Sequence, residues 1–542
     1  MRIIFHNAKV YVDKGNYQEA VLVENGLISA VGKNSEILAM KQADDAIYNC
    51  DGKTLIPGFN DSHMHFVQLA NMLYHAQIEN VRSIDEMIDI CIAFMKNHPE
   101  CVKDGLLSVG WNQDMFTDSS RLPDRHDLDR ISTEIPIMLE RVCGHICAVN
   151  TKLIEMLGID GSSPQYPNGE FLIGEDGYPN GIFKGNACNI ARNIIPDFTL
   201  AERREMILNT MEYAVSLGLT SVQSDDVGSA FPELQPAFDL FHEIYNDGLG
   251  LLRFRHQVCF NNIEAYKHFL YEGEYRKGNY PKDSWLTLGP LKLYKDGSLG
   301  ARTALMKNGY VGDRNNHGLE WMTKEQMDAY CILARDNGMQ VLTHAIGDAA
   351  VSGTIDSYEK AFIDGKNKLR HGVNHCQITD APTLDRIVNE DILVFAQPVF
   401  IDYDMHIVEK LCGKELADTS YAFGTLLKRG AHLSYGTDAP VETCNPLINL
   451  YMAVTRCGRD GKPDGGFHPW ERVDVETAVD AYTSASAYAE FAEDYKGRIK
   501  AGFYADLVLL DKDIFTIDPM QIKDVLPVLT MVGGKIVFQK EE

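Results

Sequence analysis

The residues of this chain with the most capacity for chemistry are histidines, a lysine and an aspartate that close apolar runs. The first run, Pro57-Gly58-Phe59-Asn60-Asp61-Ser62-His63-Met64-His65, ends on two histidines two residues apart. In an extended segment His63 and His65 point to the same side, so both imidazoles can reach one metal ion. A lone H-x-H is weak, because ordinary surface or core histidines fall at the same spacing. Four more residues in or at the ends of strand-like runs strengthen it: Lys292 in G-P-L-K-L-Y-K-D-G-S, His344 in V-L-T-H-A-I-G-D, His375 in R-H-G-V-N-H-C-Q and Asp438 in S-Y-G-T-D-A-P. Two rivals stand beside them. Lys295 follows Lys292 by three positions, and His371 precedes His375 by four, an even spacing that keeps both on one side of a strand.

Such residues need a scaffold that gathers distant strand ends. From about 56 to 490, strand-like runs alternate with helical ones, the pattern of βα units and a parallel sheet. Leu200–Leu217, capped by Thr199 and closed by Gly218, predicts an amphipathic helix leading into the strand L-T-S-V-Q-S. Met322–Asn337, closed by Gly338, leads into M-Q-V-L-T-H; 384–390 leads into D-I-L-V-F-A-Q, and 422–429 into A-H-L-S-Y-G-T-D. His344, Gln397 and Asp438 close these strands, and in a parallel barrel the C-terminal strand ends face the active site.

The two chain ends differ from this middle. Ile3–Val12, and Ala20–Val23 turning through Asn25-Gly26 into Leu27–Val31, predict strands and a hairpin. Ala505–Leu510, and Val528–Val537 turning at Gly533-Gly534, predict more. Each set is too small to bury a core alone, which suggests one β module, residues 1–55 plus 495–542, built from both ends around a barrel at 56–494. Residues 72–198 are less regular and rich in Pro and Gly, and predict a subdomain inserted after the first barrel strand.

Composition narrows the function. Across 542 residues, 51 Lys+Arg against 77 Asp+Glu give a net charge of −26, which repels nucleic-acid phosphates and suits a small neutral or cationic ligand. Twelve cysteines without a C-x-x-C pair read as free thiols. The opening M-R-I-I-F-H-N-A-K-V-Y-V lacks a signal-peptide h-region, and no apolar run approaches a membrane span, so a cytoplasmic location away from membranes is expected. There is no G-x-S-x-G elbow for a serine nucleophile and no phosphate-binding G-x-x-x-x-G-K-[ST].

Seven segments in order, P-G-F-N-D-S-H-M-H, V-G-W-N-Q-D, R-V-C-G-H-I-C-A-V-N, L-K-L-Y-K-D-G-S-L-G-A-R-T-A, T-H-A-I-G-D-A-A, Y-G-T-D-A-P-V-E and G-R-I-K-A-G-F-Y-A-D-L-V-L-L-D-K-D, resemble the amidohydrolase superfamily. The likeness is to its long members related to N-substituted formamide deformylases. It implies an α/β fold: a (β/α)8 TIM barrel with one or two divalent metals at its C-terminal face, a β-sandwich built from both chain termini and an inserted α+β subdomain. Carried over by position, His63, His65 and Asp438 bind the buried metal, and His344 and His375 the more exposed one. Lys292 takes the place of a bridging lysine that carbon dioxide can carboxylate. An ammonium has no lone pair for a cation, whereas a carbamate is an anionic ligand. Lys295, three along the strand, falls on the opposite face, and the resemblance places the histidine ligand at His375.

The chemistry implied is metal-assisted hydrolysis of a carbon-nitrogen bond other than a peptide bond, in a small N-substituted amide or formamide, with zinc as the expected metal. Asp438 would act as base and then as acid. Asp61 is a candidate for holding the ligands in register, and Trp111, His145, Arg302 and Gln397 for lining the substrate pocket. A deaminase, a cyclic amidase such as an imidazolone hydrolase, or a metal-containing protein without turnover are the other readings of the same scaffold. The resemblance also leads to an expected homodimer.

Overall fold

A computed structural model describes residues 2–541 apart from Ser119, Pro232, Lys282 and Asp283. The chain divides into two units, residues 1–68 with 208–542, and residues 69–207.

The first unit is built around an eight-stranded, all-parallel, nearly closed barrel: β1 (Phe59–Met64), β2 (Leu219–Val227), β3 (Arg253–Val258), β4 (Leu286–Tyr294), β5 (Val341–Ala345), β6 (Gly372–His375), β7 (Leu393–Ala396) and β8 (Leu433–Tyr435). Each strand pairs with its successor in that order. The two ends of the ladder meet through backbone hydrogen bonds just beyond β8, where Asp438 N–H donates to His63 O at 2.9 Å and His65 N–H donates to Ala439 O at 2.8 Å. That approach needs a glycine. A Cβ on Gly436 would lie 2.6 Å from His63 N and 2.7 Å from His63 O.

The helices follow their sequence signals within one to three residues. Leu200–Ser216 ends before Gly218, whose φ of +85° only glycine adopts cheaply, and Lys324–Asp336 starts from a Thr323–Gln326 capping box. A short helix, Ser484–Ala489, plugs the N-terminal end of the barrel: Gln223 and Gln340 donate to Ser486 O and Ala489 O at 3.2 and 3.1 Å, and Asn60 donates to the Glu490 carboxylate at 2.7 Å. With that end closed by polar contacts, the C-terminal strand ends are where a site is expected in a parallel barrel.

Two further sheets belong to this unit. One, of four strands, pairs Arg2–His6, Ala20–Glu24, Leu27–Gly32 and Ala46–Asn49. The other interleaves Lys9–Asp13, Asn16–Gln18 and Thr54–Pro57 from one end of the chain with Leu507–Leu510, Pro527–Val532 and Lys535–Gln539 from the other. Phe5, Val10, Val21, Leu55, Leu507 and Met531 share one buried core. The expected single strand from Ile3 to Val12 is two, because Asn7 turns the chain with φ of 54°.

The second unit holds a mixed five-stranded sheet, from Gly169–Ile173 through Pro179–Gly185, Ile146–Val149 and Ile137–Arg141 to Leu106–Trp111. Its core includes Met87 and Ile88 from the helix Ile84–Asn97. All twelve cysteines are free thiols, and no helix of the described residues is long and apolar enough to cross a membrane.

Candidate active site

At the C-terminal end of the barrel, β1 and the turn after β8 bring His63, His65 and Asp438 together, with one ligand atom from each within 4.8 Å of the others. His63 Nε2 and His65 Nε2 both lie 3.2 Å from Asp438 Oδ1, a buried oxygen that receives no hydrogen bond of good geometry. A buried carboxylate oxygen facing two imidazole nitrogens is a donor set that fits a cation. The donor set, two imidazoles and a carboxylate, suits a divalent ion such as zinc.

Partners on the far side of each ring decide which nitrogen is free to bind. Gln257 uses its amide N–H to donate to Ser62 O at 3.3 Å, which turns Oε1 toward His63 Nδ1 at 3.2 Å. His63 therefore carries its proton on Nδ1 and presents Nε2. His65 Nδ1–H donates to Asp225 O at 2.9 Å, again leaving Nε2. His375 Nδ1–H donates to Gln397 Oε1 at 2.8 Å, and Gln397 is oriented in turn by donating to Phe395 O at 3.0 Å. His344 is the reverse case: Nε2–H faces Gly297 O at 3.2 Å, so Nδ1 is the free nitrogen. His344 and His375 pack edge to face with centroids 4.5 Å apart, and His375 meets the His63 ring at 5.6 Å.

Electrostatics hold most of these groups in their ligand forms. Burial, with the Lys292 charge adding to it, lowers His63 and His344 to about 4, and burial beside His344 takes His375 well below the ordinary histidine value. Burial favours the acid form of Asp438, but the imidazoles around it outweigh that and hold its carboxyl well below the usual range. His65 differs. Burial opposes its charge, yet the Asp438 carboxylate prevails and raises it to about 9.

Backbone geometry at the site is unusual in two places. His375 and Asp438 sit in the left-handed region, with φ of 74° and 57°, a conformation that costs a residue bearing a Cβ about 1 kcal/mol or more. At both positions it turns the chain out of the strand where a site residue must face its neighbours. Asp61 holds the second of these turns. Its carboxylate accepts from Thr437 N–H and Oγ1–H, at 3.1 and 2.6 Å, from His63 N–H at 3.1 Å and from Tyr482 O–H at 3.1 Å, tying the strand that carries His63 to the segment that carries Asp438.

Lys292 lies inside the barrel, 1% exposed, with Nζ 3.1 Å from His63 Nε2 and 3.6 Å from Asp225 Oδ2. Burial lowers its pKa, favouring the free amine. Lys295 faces elsewhere, donating to Glu320 and to Met322 O at 2.7 Å each. His371 is likewise apart: its Nδ1 accepts from Val341 N–H at 3.0 Å and its ring stacks on Tyr358.

Asp225 and Gln257 carry weight that their sequence motifs do not announce. Asp225 is fully buried; burial opposes its charge, but Lys292 keeps its carboxyl below the usual range, and Tyr294 O–H donates to it. The strand L-T-S-V-Q-S runs on through Asp225, and polar alternation from Gln223 was the available signal. Two of the expected pocket residues are buried in the structure. Trp111 is fully buried in the core of the second unit, its indole N–H donating to Leu139 O at 2.9 Å, so it packs instead of forming a pocket wall. Gln397 is 1% exposed and bonded at both ends of its amide, to His375 and to Phe395, a placement that orients a site residue. His145 is exposed, with Nδ1–H donating to Cys143 O at 2.6 Å, and Arg302 is exposed in the segment after β4 with φ of 55°.

The chain is 28% identical to the putative amidohydrolase YtcJ of Bacillus subtilis over the full length of both. It is 22% identical to an N-substituted formamide deformylase of Arthrobacter pascens, covering 100% of this chain and 98% of that one. Among solved structures, an uncharacterized metal-dependent hydrolase from Pyrococcus furiosus superposes with a TM-score of 0.74 at 27% identity, covering 95% of this chain and 100% of its own. Residues 46–538 match the amidohydrolase family, and the chain belongs to that family.

Proposed function

We propose that the protein is a metal-dependent hydrolase of carbon-nitrogen bonds other than peptide bonds, acting on a small N-substituted amide or formamide. The observation that carries this reading is the convergence of His63, His65 and Asp438 at the C-terminal end of the barrel. The deformylase relative supports the choice of substrate class.

His63 Nε2, His65 Nε2 and Asp438 would hold one divalent ion, and His344 Nδ1 with His375 Nε2 a second. A divalent ion in such a site polarises the substrate carbonyl and brings the pKa of water from 15.7 toward about 7. Asp438, kept ionised at neutral pH, takes the proton of the attacking water and passes it to the leaving amine. Gln257, Gln397 and the Asp225 carbonyl keep the free imidazole nitrogens aimed inward while this happens. Zinc is the metal we favour for imidazole and carboxylate donors.

We further read Lys292 as a residue that would be carboxylated and would then supply an anionic ligand for the metal site, since burial favours the amine that adds carbon dioxide with loss of one proton. A second reading has a specific observation behind it. Asp225 Oδ2 at 3.6 Å offers Lys292 an ion pair, which fits an unmodified lysine beside a single metal. A carbamate signal in the NMR spectrum of protein held under 13C-labelled carbon dioxide, with two metals per chain, supports the first; one metal and no signal supports the second. The free thiols support a cytoplasmic location, and the core shared by the two terminal sheets supports reading them as one β-sandwich.

The test is a hydrolysis screen on zinc-loaded protein, measuring amine, formate and ammonia separately across N-formyl amines, N-acyl amino acids and cyclic amides, with Asp438→Asn as the blank. Amine with formate supports the deformylase reading. Ammonia moves the function to a deaminase on the same scaffold, and a ring-opened product without free amine moves it to a cyclic amidase.

A further inference from the structure

An exposed large apolar side chain on a soluble protein is ordinary taken singly. Trp321 is less ordinary because of what it covers. It sits in the long segment between β4 and β5, where its backbone N–H donates to Lys295 O at 2.9 Å, just past the end of β4. Its indole lies parallel to the His344 imidazole, with an interplanar angle of 8° and centroids 6.2 Å apart, and leans on Tyr294 at 6.0 Å. Among the described residues these are its ring neighbours. The residue is nevertheless 56% exposed, while the rings it rests on are half-buried.

The segments after β4 and β8 carry further exposed apolar residues. Leu319, two residues earlier, is 53% exposed, and Val441, whose N–H donates to Asp438 O at 2.9 Å, is 63% exposed. Phe400 lies against His375 from the other side, centroids 5.9 Å apart. A row of rings therefore runs from Trp321 through His344 and His375 to Phe400. Water-facing apolar groups next to histidines that could hold a metal make a platform for something flat and apolar.

We propose that Trp321 is a specificity-determining residue that stacks on a planar, apolar ring carried by the substrate, so that aromatic N-substituents are preferred to saturated ones of the same size. This rests on the proposed hydrolase reading only for the identity of the reacting bond; the ring-binding surface is a property of the protein itself. A stacked aromatic pair is worth up to about tenfold in affinity beyond simple area burial.

The experiment compares N-benzylformamide with N-(cyclohexylmethyl)formamide, which match carbon for carbon and differ in flatness. Binding is followed by saturation-transfer NMR titration of the protein as purified, and turnover is measured separately on zinc-loaded protein. The wild type should bind the benzyl compound several-fold more tightly. Trp321→Ala should remove that preference with metal content unchanged, and Trp321→Phe should restore part of it. Equal affinities in the wild type, or a preference that survives Trp321→Ala, would overturn the proposal. Ring-selective binding without release of amine would leave it standing while counting against the hydrolase reading; hydrolysis of both compounds without selectivity would do the reverse.

Discussion

Gln397 separates two accounts of the site, because a pocket donor and a ligand positioner fail differently. Its Oε1 receives the His375 Nδ1–H at 2.8 Å, with His375 2% and Gln397 1% exposed. Gln397→Leu keeps a similar volume and removes the acceptor, so a buried imidazole N–H is left without a partner at a cost of about 1–3 kcal/mol. Part of that cost falls on the ring orientation and tautomer that present Nε2, and removing such a support typically lowers metal affinity about 10–100-fold. Zinc affinity measured by competition with a chromophoric chelator at fixed pH should therefore drop by that factor for the more exposed ion. At saturating zinc the KM should stay near that of the wild type. Gln397→Glu, which still offers an oxygen to Nδ1, should recover most of the affinity. Unchanged zinc affinity together with a raised KM would refute the positioning role and return Gln397 to the substrate pocket.

Other outcomes follow from the same geometry. Asp438→Asn should keep the fold and lose at least about a hundredfold in kcat, the lower range for a general acid or base; near-normal turnover would remove Asp438 from proton transfer. Lys292→Ala should lower zinc from two per chain toward one by elemental analysis, and an unchanged count would place the bridge elsewhere. Because His65 is raised to about 9, zinc uptake at pH 7 must displace its proton. Affinity should then climb about tenfold per pH unit up to about pH 9, with roughly one proton released in calorimetry across buffers of different ionisation enthalpy. Away from the site, burial lowers His256 to about 3 in a cage of Phe238, Phe241 and Phe254, with both ring nitrogens unpartnered. The unfolded chain takes up this proton below about pH 6.5 and the folded chain does not, so stability falls as pH drops from there toward 3, by up to roughly 1.4 kcal/mol per unit. His256→Phe should flatten that part of the urea-midpoint profile against pH, and an unaltered slope would assign the acid sensitivity to other groups.

The strand ends were legible because a parallel barrel makes a residue's position in the chain nearly equivalent to its position in space. His63, His65, His344, His375 and Asp438 each close an apolar run, whereas the alternation of faces along a strand, together with the resemblance, set Lys292 apart from Lys295. Residues whose meaning comes from a neighbour on another strand were not legible. Gln257 is one polar residue in R-F-R-H-Q-V until β3 sets it behind His63. Gln397 looked like a pocket donor for the reason that made its neighbours ligands, and only its contact with His375 separates it from them. Trp111 could have been wall or core, and burial against Leu139 decides for core. Trp321 gave no signal, since it lies in an irregular segment with no periodicity to set its direction.

The assignment of His63, His65 and Asp438 as a metal site is tested most directly by anomalous X-ray diffraction at the zinc edge from crystals of zinc-loaded protein. The expected result is a peak about 2.0–2.2 Å from His63 Nε2, His65 Nε2 and an Asp438 oxygen, lost in the Asp438→Ala protein. A fully loaded crystal with no peak among these three residues, or with its peaks elsewhere, would contradict the assignment.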